Sequence, residues 1–282
     1  MPLGMIHLGA IGDLILAMPV AEAVAGGEPI HLLGRGPHRE FAEPWAPCMR
    51  YGDADADARG LPTLLAGRPS PAMRRWLAQC GPEAPLLFAA KPIAGLRWVN
   101  TRDGDGRTHI SLQMLRRVRP GACDEDLPLP SLSVPADPFA PSGRRPAVIH
   151  PGSGGVMKCW PLRHFLRVAW HLAEAGFSVH WILGPAEVER FLDEQLHGEV
   201  GHVHRDLPLS IVLTMLSSCA VYVGNDSGIT HAAAGLGRPT VALFGPTNPS
   251  VWGPRGRRVT LLPFETSASD VASAAGSLSA ES

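Results

Sequence analysis

Lysine is nearly missing from this chain. Of 25 basic residues among 282, only Lys91 and Lys158 are lysine; the others are arginine. Twenty-six acidic residues oppose them, for a formal net charge of −1, and no long basic run occurs. This balance excludes the electrostatic footprint of a nucleic-acid-binding protein. Cysteine is scarce as well: positions 48, 80, 123, 159 and 219 give an odd number and no C-x-x-C pair. A disulfide framework and a zinc site of paired cysteines are thereby excluded, and a reducing, intracellular setting fits. No apolar run reaches the roughly 18–20 residues that a membrane span requires. The opening MPLGMIHLGAIGDLILAMPVAEAVA imitates an export signal ending in A-x-A. However, no Lys or Arg precedes Arg35, and Asp13 interrupts the apolar run, so a folded segment is expected in place of an exported leader.

What is present is alternation. GMIHLGA reads as a buried strand, DLILAMPVAEAVAG as a helix and PIHLLGR (29–35) as the next strand. The Pro-rich stretch 120–146 interrupts the pattern and reads as a connection. The alternation then resumes, with a strand at 147–152, a helix at 162–176, a strand at 178–184 and a helix in AEVERFLDEQL. A helix at 207–219, a strand at 220–223, the helix ITHAAAGLG and a strand at 240–245 complete it. Length and pattern predict two domains, 1–140 and 141–282, each an α/β doubly wound parallel sheet.

Two loops hold residue types suited to a phosphorylated ligand. In GNDSGITHAAAGLGRPTVALFGP, Asp226 or Ser227 caps a helix, Gly228 lets a ligand approach the backbone, and His231 lies one turn along the same face. In HPGSGGVMKCWP, Lys158 follows Ser153, Gly154 and Gly155, where a glycine-rich loop and one compact positive charge hold a diphosphate. Asp13 opens the first helix, as an N-cap or as a carboxylate placed for chemistry. Gly9 and Gly12 fall short of the dinucleotide fingerprint, because an acid stands where that motif needs a small residue. His202 and His204, in GHVHRD, read as a surface loop without partner ligands.

The motifs GDLILAMPV, HPGSGGVMKCWPLRHF and VGNDSGITHAAAGLGRPTVALFGPTNP occur in an order and spacing that resemble glycosyltransferase family 9, the ADP-heptose:lipopolysaccharide heptosyltransferases. The likeness is continuous from Ala147 to Pro254, and RTHISLQMLRRV (107–118) resembles the helix that closes the family's first domain. The resemblance implies a GT-B fold, two Rossmann-like domains facing across a cleft, with the donor on the second domain and the acceptor on the first. It implies Asp13 as general base in a single-step inverting transfer. Ser153, Gly154 and Lys158 would hold the donor diphosphate, Glu187 would approach the ribose, and Asp226, Ser227, Gly228 and His231 would surround the sugar and diphosphate. Gly12, at the mouth of the first helix, is counted with the donor-binding residues.

The same resemblance implies an ADP-sugar donor, a saccharide or glycolipid acceptor such as lipopolysaccharide core, no metal and no further cofactor. It also implies a cytoplasmic station, free or peripheral on the cytoplasmic face of the inner membrane. The sequence departs from the family in a short first domain and in Met18, where the family carries Thr. Arg74, Arg75, Lys91 and Arg97 stand where acceptor contacts are expected, as an anion-binding face or an ordinary solvated one. Two other readings compete: a catalytically idle nucleotide-sugar binder and an NAD(P)-dependent oxidoreductase.

Overall fold

The computed structural model describes residues 1–54, 70–80, 85–93, 95–102, 104–134, 145–185, 187 and 200–280. The chain divides into two units, Met1–Leu132 and Ser133–Ser282. The boundary expected at 140/141 lies outside the described residues.

In the first unit, β1 (Leu3–His7), α1 (Ile11–Ala25), β2 (Ile30–Gly34) and β3 (Cys48–Asp53) follow one another. After α2 (Pro71–Gln79) come β4 (Leu86–Ala89), β5 (Arg97–Asn100) and α3 (Ile110–Val118). The sheet order is β3-β2-β1-β4-β5, with every pairing parallel. The chain builds outward from β1 on one side and then returns to its other side, so the order reverses between β1 and β4. In open α/β sheets such a reversal opens a crevice at the strands' carboxyl ends.

The leader-like run is explained by α1. Leu14 through Ala21 are all buried, Pro19 included. A helix that is apolar all round must be enclosed by protein; here α1 lies on its sheet and against α3, where the Ser111 hydroxyl donates to the Leu16 carbonyl at 2.7 Å. Pro19 has no N–H for the Ile15 carbonyl, so the helix is weakest in this turn. Ser111 supplies a hydrogen bond there from outside.

In the second unit the order of elements is β6 (Arg145–His150), α4 (Leu162–Glu174), β7 (Phe177–Leu183), β8 (His202–Arg205), α5 (Leu209–Ser218) and β9 (Val221–Asn225). Then come α6 (Gly228–Gly235), β10 (Thr240–Phe244), α7 (Pro249–Trp252), β11 (Val259–Pro263) and α8 (Ala268–Ala280). Six parallel strands are ordered β11-β10-β9-β6-β7-β8, with the reversal between β6 and β9. Ile149, Trp181, Val223 and Leu243 line one face of the sheet and pack with Phe165 and Leu172 of α4 and Val271 of α8. The two core indoles satisfy their N–H groups on carbonyls: Trp181 on Val200 at 2.8 Å and Trp160 on Phe264 at 2.8 Å.

Both parallel sheets correspond to the doubly wound fold expected from the alternation. Three details differ. AEVERFLDEQL falls almost wholly outside the described residues. The elements β3, α2, β4, β5, α7, β11 and α8 lie in stretches that the alternation leaves unassigned. Finally, His202 and His204 sit on edge strand β8 and not in a loop; His204 Nε2 lies 3.1 Å from His180 Nδ1 on β7. Sequence spacing could not show that partner, because it comes from the neighbouring strand.

Candidate functional site

The reversal point of the second sheet collects most of the expected residues. β6 ends at His150 and β9 at Asn225, and the loops that leave them are bolted together. Asn225 Nδ2 donates to the Pro151 carbonyl at 2.8 Å, while its Oδ1 accepts the Trp160 N–H at 2.9 Å. The Ser153 hydroxyl donates to the Asp226 carbonyl at 2.7 Å. This gives Ser153 a structural task before any ligand is considered: it fixes the glycine-rich turn to the head of α6.

Asp226 is the electrostatic centre. Its side chain is 7% exposed, and Oδ2 receives Lys158 Nζ at 2.7 Å and the Thr247 hydroxyl at 2.8 Å. His231 Nε2 stands 3.9 Å from Oδ1. A carboxylate so nearly buried requires this company, since an isolated buried charge costs several kcal/mol. Lys158 is 38% exposed, so its ammonium faces both the carboxylate and solvent. The cap of α6 is Ser227, whose hydroxyl accepts the Thr230 N–H at 3.3 Å. Of the two capping candidates, Asp226 is thus released for Lys158. The Gly228 and Ile229 N–H groups form the open first turn of α6, where the helix dipole favours an anion.

Below this mouth the polar chain continues inward. Thr230 donates its hydroxyl to the Asn225 carbonyl and lies 3.0 Å from the Tyr222 hydroxyl. Burial pushes the Tyr222 phenol far above its ordinary pKa, and the Thr230 hydrogen bond offsets this only in part. Tyr222 is therefore a neutral hydrogen-bonding strut at every physiological pH.

Glu187 is buried beside the same strand end. Its Oε2 accepts the Gly184 N–H at 3.0 Å and lies 3.7 Å from His150 Nε2. Gly152 packs closely here: a Cβ at that position would overlap the Glu187 carboxyl group and force it to move. Gly154 meets the opposite condition, with open space where its side chain would be. The first glycine is needed for packing; the second leaves room for a ligand.

Asp13 and Gly12 belong to the other unit. Both lie in the first turn of α1, beyond the carboxyl end of β1 at that sheet's reversal point. Asp13 is the third helical residue and not the N-cap; its Oδ2 lies 3.4 Å from the Ala10 N–H. The stronger contact is with Arg102, just beyond β5, whose Nη2 donates to Oδ2 at 2.8 Å. Arg102 is 57% exposed and Asp13 14%, so this ion pair is at the surface and weak in stability terms. Beneath Asp13, His7 is fully buried, and neither ring nitrogen has a hydrogen-bond partner among the described residues. Burial, helped by neighbouring His38, pushes its pKa down to about 3.

Comparison with known proteins now decides the family. The profile of glycosyltransferase family 9 (heptosyltransferase) matches residues 128–274, just over half of the 282. The chain belongs to glycosyltransferase family 9. Lipooligosaccharide heptosyltransferase 2 of Haemophilus influenzae is 31% identical over 129 residues, 43% of this chain and 37% of that protein. Lipopolysaccharide heptosyltransferase 2 of Escherichia coli is 28% identical over 158 residues, 49% of this chain and 45% of that protein. The matched stretches thus span less than half the length of these curated relatives. Among solved structures, E. coli ADP-heptose lps heptosyltransferase II superposes with a TM-score of 0.74 at 18% identity, covering 100% of this chain and 99% of that one. E. coli heptosyltransferase WaaC with ADP gives 0.69 at 16% identity, covering 98% and 100%.

The family match covers all six strands of the second sheet and almost nothing of the first unit. Ser153, Gly154, Lys158, Glu187, Asp226, Ser227, Gly228 and His231 therefore share one strand-end cluster inside the matched region. Thr247, His150 and Asn225 join them, and sequence reasoning passed over all three. Each had one legible signal: it ends a strand, or lies within a few residues of the end, on the edge where the site was already expected.

Proposed function

We propose that the protein is an inverting glycosyltransferase that moves heptose, or a related sugar, from an ADP-sugar to a hydroxyl of a saccharide acceptor such as lipopolysaccharide core. The observation that carries this reading is the Lys158–Asp226–Thr247 cluster beside the open first turn of α6. A diphosphate placed at Gly228 would meet the helix N-terminus and the Lys158 ammonium together. As the sugar's anomeric carbon leaves ADP, negative charge grows on the departing phosphate, and these two groups would offset it. Asp226 holds Lys158 in position until the ligand arrives, and Glu187 supplies a carboxylate beside Gly152 for the ribose hydroxyls.

Inversion in one step requires one base and no covalent intermediate. Asp13 is that base in this reading: it would take the acceptor hydroxyl's proton as oxygen attacks the anomeric carbon. The acceptor class is assigned by family resemblance alone. The Asp13–Arg102 ion pair favours a second reading, a nucleotide-sugar binder without transfer, because it engages one oxygen of the base. Calorimetric titration of ADP, ADP-heptose, ADP-glucose, GDP- and UDP-sugars, combined with slow donor hydrolysis, separates these readings. Preference for ADP-sugars together with hydrolysis supports transfer; binding without any turnover supports the idle binder.

A further inference from the structure

Three histidines meet on one face of the sheet edge formed by β7 and β8. In the parallel register His180 is paired with His202 and Ile182 with His204. Because side chains alternate along a strand, His202 and His204 point to the same side, which is also the side of His180. The rings are close: the His180 and His204 centroids are 5.4 Å apart with planes at 13°, and those of His180 and His202 are 5.3 Å apart. His180 Nδ1 and His204 Nε2 face each other at 3.1 Å. On the far side of its ring, His180 Nε2 lies 3.2 Å from the Ser178 hydroxyl.

We infer that His180, His202 and His204 form a binding site for one divalent transition-metal ion of the zinc or copper class. Imidazole nitrogen suits such ions, and a His-x-His pair on one strand with a third histidine across the ladder presents three of them at one place. A hydrogen bond between two imidazoles requires a lone pair on one of the facing nitrogens. With Ser178 accepting from Nε2–H, His180 keeps its lone pair at Nδ1. This is the outer-shell hydrogen bond that characteristically sets the tautomer of a metal-ligating histidine. When the ion binds, the proton on His204 Nε2 moves to Nδ1 of the same ring, so no proton need be lost.

As they stand the three rings do not converge on one point, and no ready-made group of three ligands occurs among the described residues. The proposed site requires the His202 ring to turn towards the other two. That ring is exposed on the edge strand, beside a cavity of about 200 Å³ that it lines with Ser178 and Gly201. Water would complete the coordination on the solvent side, and the bound ion would tie β8 to β7.

The test uses untagged, metal-free protein titrated with zinc chloride by calorimetry, and with copper(II) followed by electron paramagnetic resonance. One equivalent of zinc, a copper spectrum split by three nitrogens, and a melting temperature raised by zinc and restored by chelator are expected. His180→Gln, His202→Gln and His204→Gln should each weaken zinc binding at least tenfold, with melting in chelator checking that each variant folds. Absence of zinc binding, or unchanged affinity in the exposed-site variant His202→Gln, overturns the assignment. Should a buried-side variant fail to fold, the nitrogen splitting in the unaltered protein still decides.

Discussion

At the carboxyl end of β6 the charged groups are answered from within their own unit: Lys158 by Asp226, Asp226 by Thr247 as well, and Glu187 by the Gly184 N–H. At the carboxyl end of β1 the furnishing is looser. Asp13 relies on an exposed arginine, and the His7 imidazole beneath it has no hydrogen-bond partner among the described residues. The two sheets reverse strand order in the same way, so topology alone does not explain the difference. A site that holds a charged ligand in a fixed pose gains from donors set before the ligand arrives. A base that must exchange a proton gains from a carboxylate with one oxygen still accessible. On the proposed function, the contrast is between a site that binds and a site that reacts, and four measurements press on it.

The largest effect is expected from Asp13→Asn. The amide keeps the size of the carboxylate but cannot accept the acceptor's proton, so single-turnover transfer should fall by about 10²–10⁴-fold with ADP-sugar affinity unchanged. Transfer near the wild-type rate would make Asp13 a helix-end residue and erase the contrast.

Next is acid stability. His7 has its pKa lowered to about 3 in the folded chain, chiefly by burial and then by His38, against an ordinary 6.5. Below pH 6.5 the unfolded chain takes up a proton that the folded chain refuses, so stability is complete above that pH. It is lost at up to about 1.4 kcal/mol per pH unit on the way down to about 3. His7→Leu removes both unpartnered nitrogens and should flatten this part of the denaturant-midpoint profile between pH 6.5 and 4.5. An unchanged slope would assign the acid sensitivity elsewhere.

Lys158→Ala comes third. A charge-assisted contact of this type is worth roughly 1.5–3 kcal/mol, so ADP affinity should weaken by about 10- to 100-fold. Calorimetry on a variant with the wild-type circular dichroism spectrum reads it directly, and unaltered affinity removes Lys158 from the donor site.

The smallest effect belongs to Ser227→Ala, which deletes the hydroxyl that accepts the Thr230 N–H. Loss of a helix N-cap costs about 1 kcal/mol. Chemical denaturation should show that drop, and an unchanged midpoint would remove Ser227 as the cap of α6.

The sequence displays β1 and β2 of the first sheet and β6, β7, β9 and β10 of the second, because parallel strands buried on both faces read as short apolar runs between helices. The strand-end loops are legible for the same reason: they are the polar interruptions of that pattern, and Lys158 stands out because lysine is so rare. What remained hidden depends on strand order. Arg102 meets Asp13 across 89 residues and His180 meets His204 across 24; neither pairing has a local period to announce it. The capping choice between Asp226 and Ser227 was equally closed to sequence, since both residue types cap well. Lys158 and Thr247, drawn in from other loops, settled it. The elements β4 and β5 are four residues each, too short for alternation to register.

The close fit of Gly152 to Glu187 has a consequence for substitution. A Cβ at 152 would fall 2.1 Å from the Glu187 carboxyl carbon, so a side chain at 152 requires the Glu187 side chain to move. A shorter residue at 187 opens that space. Two positions 35 residues apart are thus sterically coupled, and a double variant with a shorter residue at 187 and alanine at 152 is expected to be tolerated better than alanine at 152 alone.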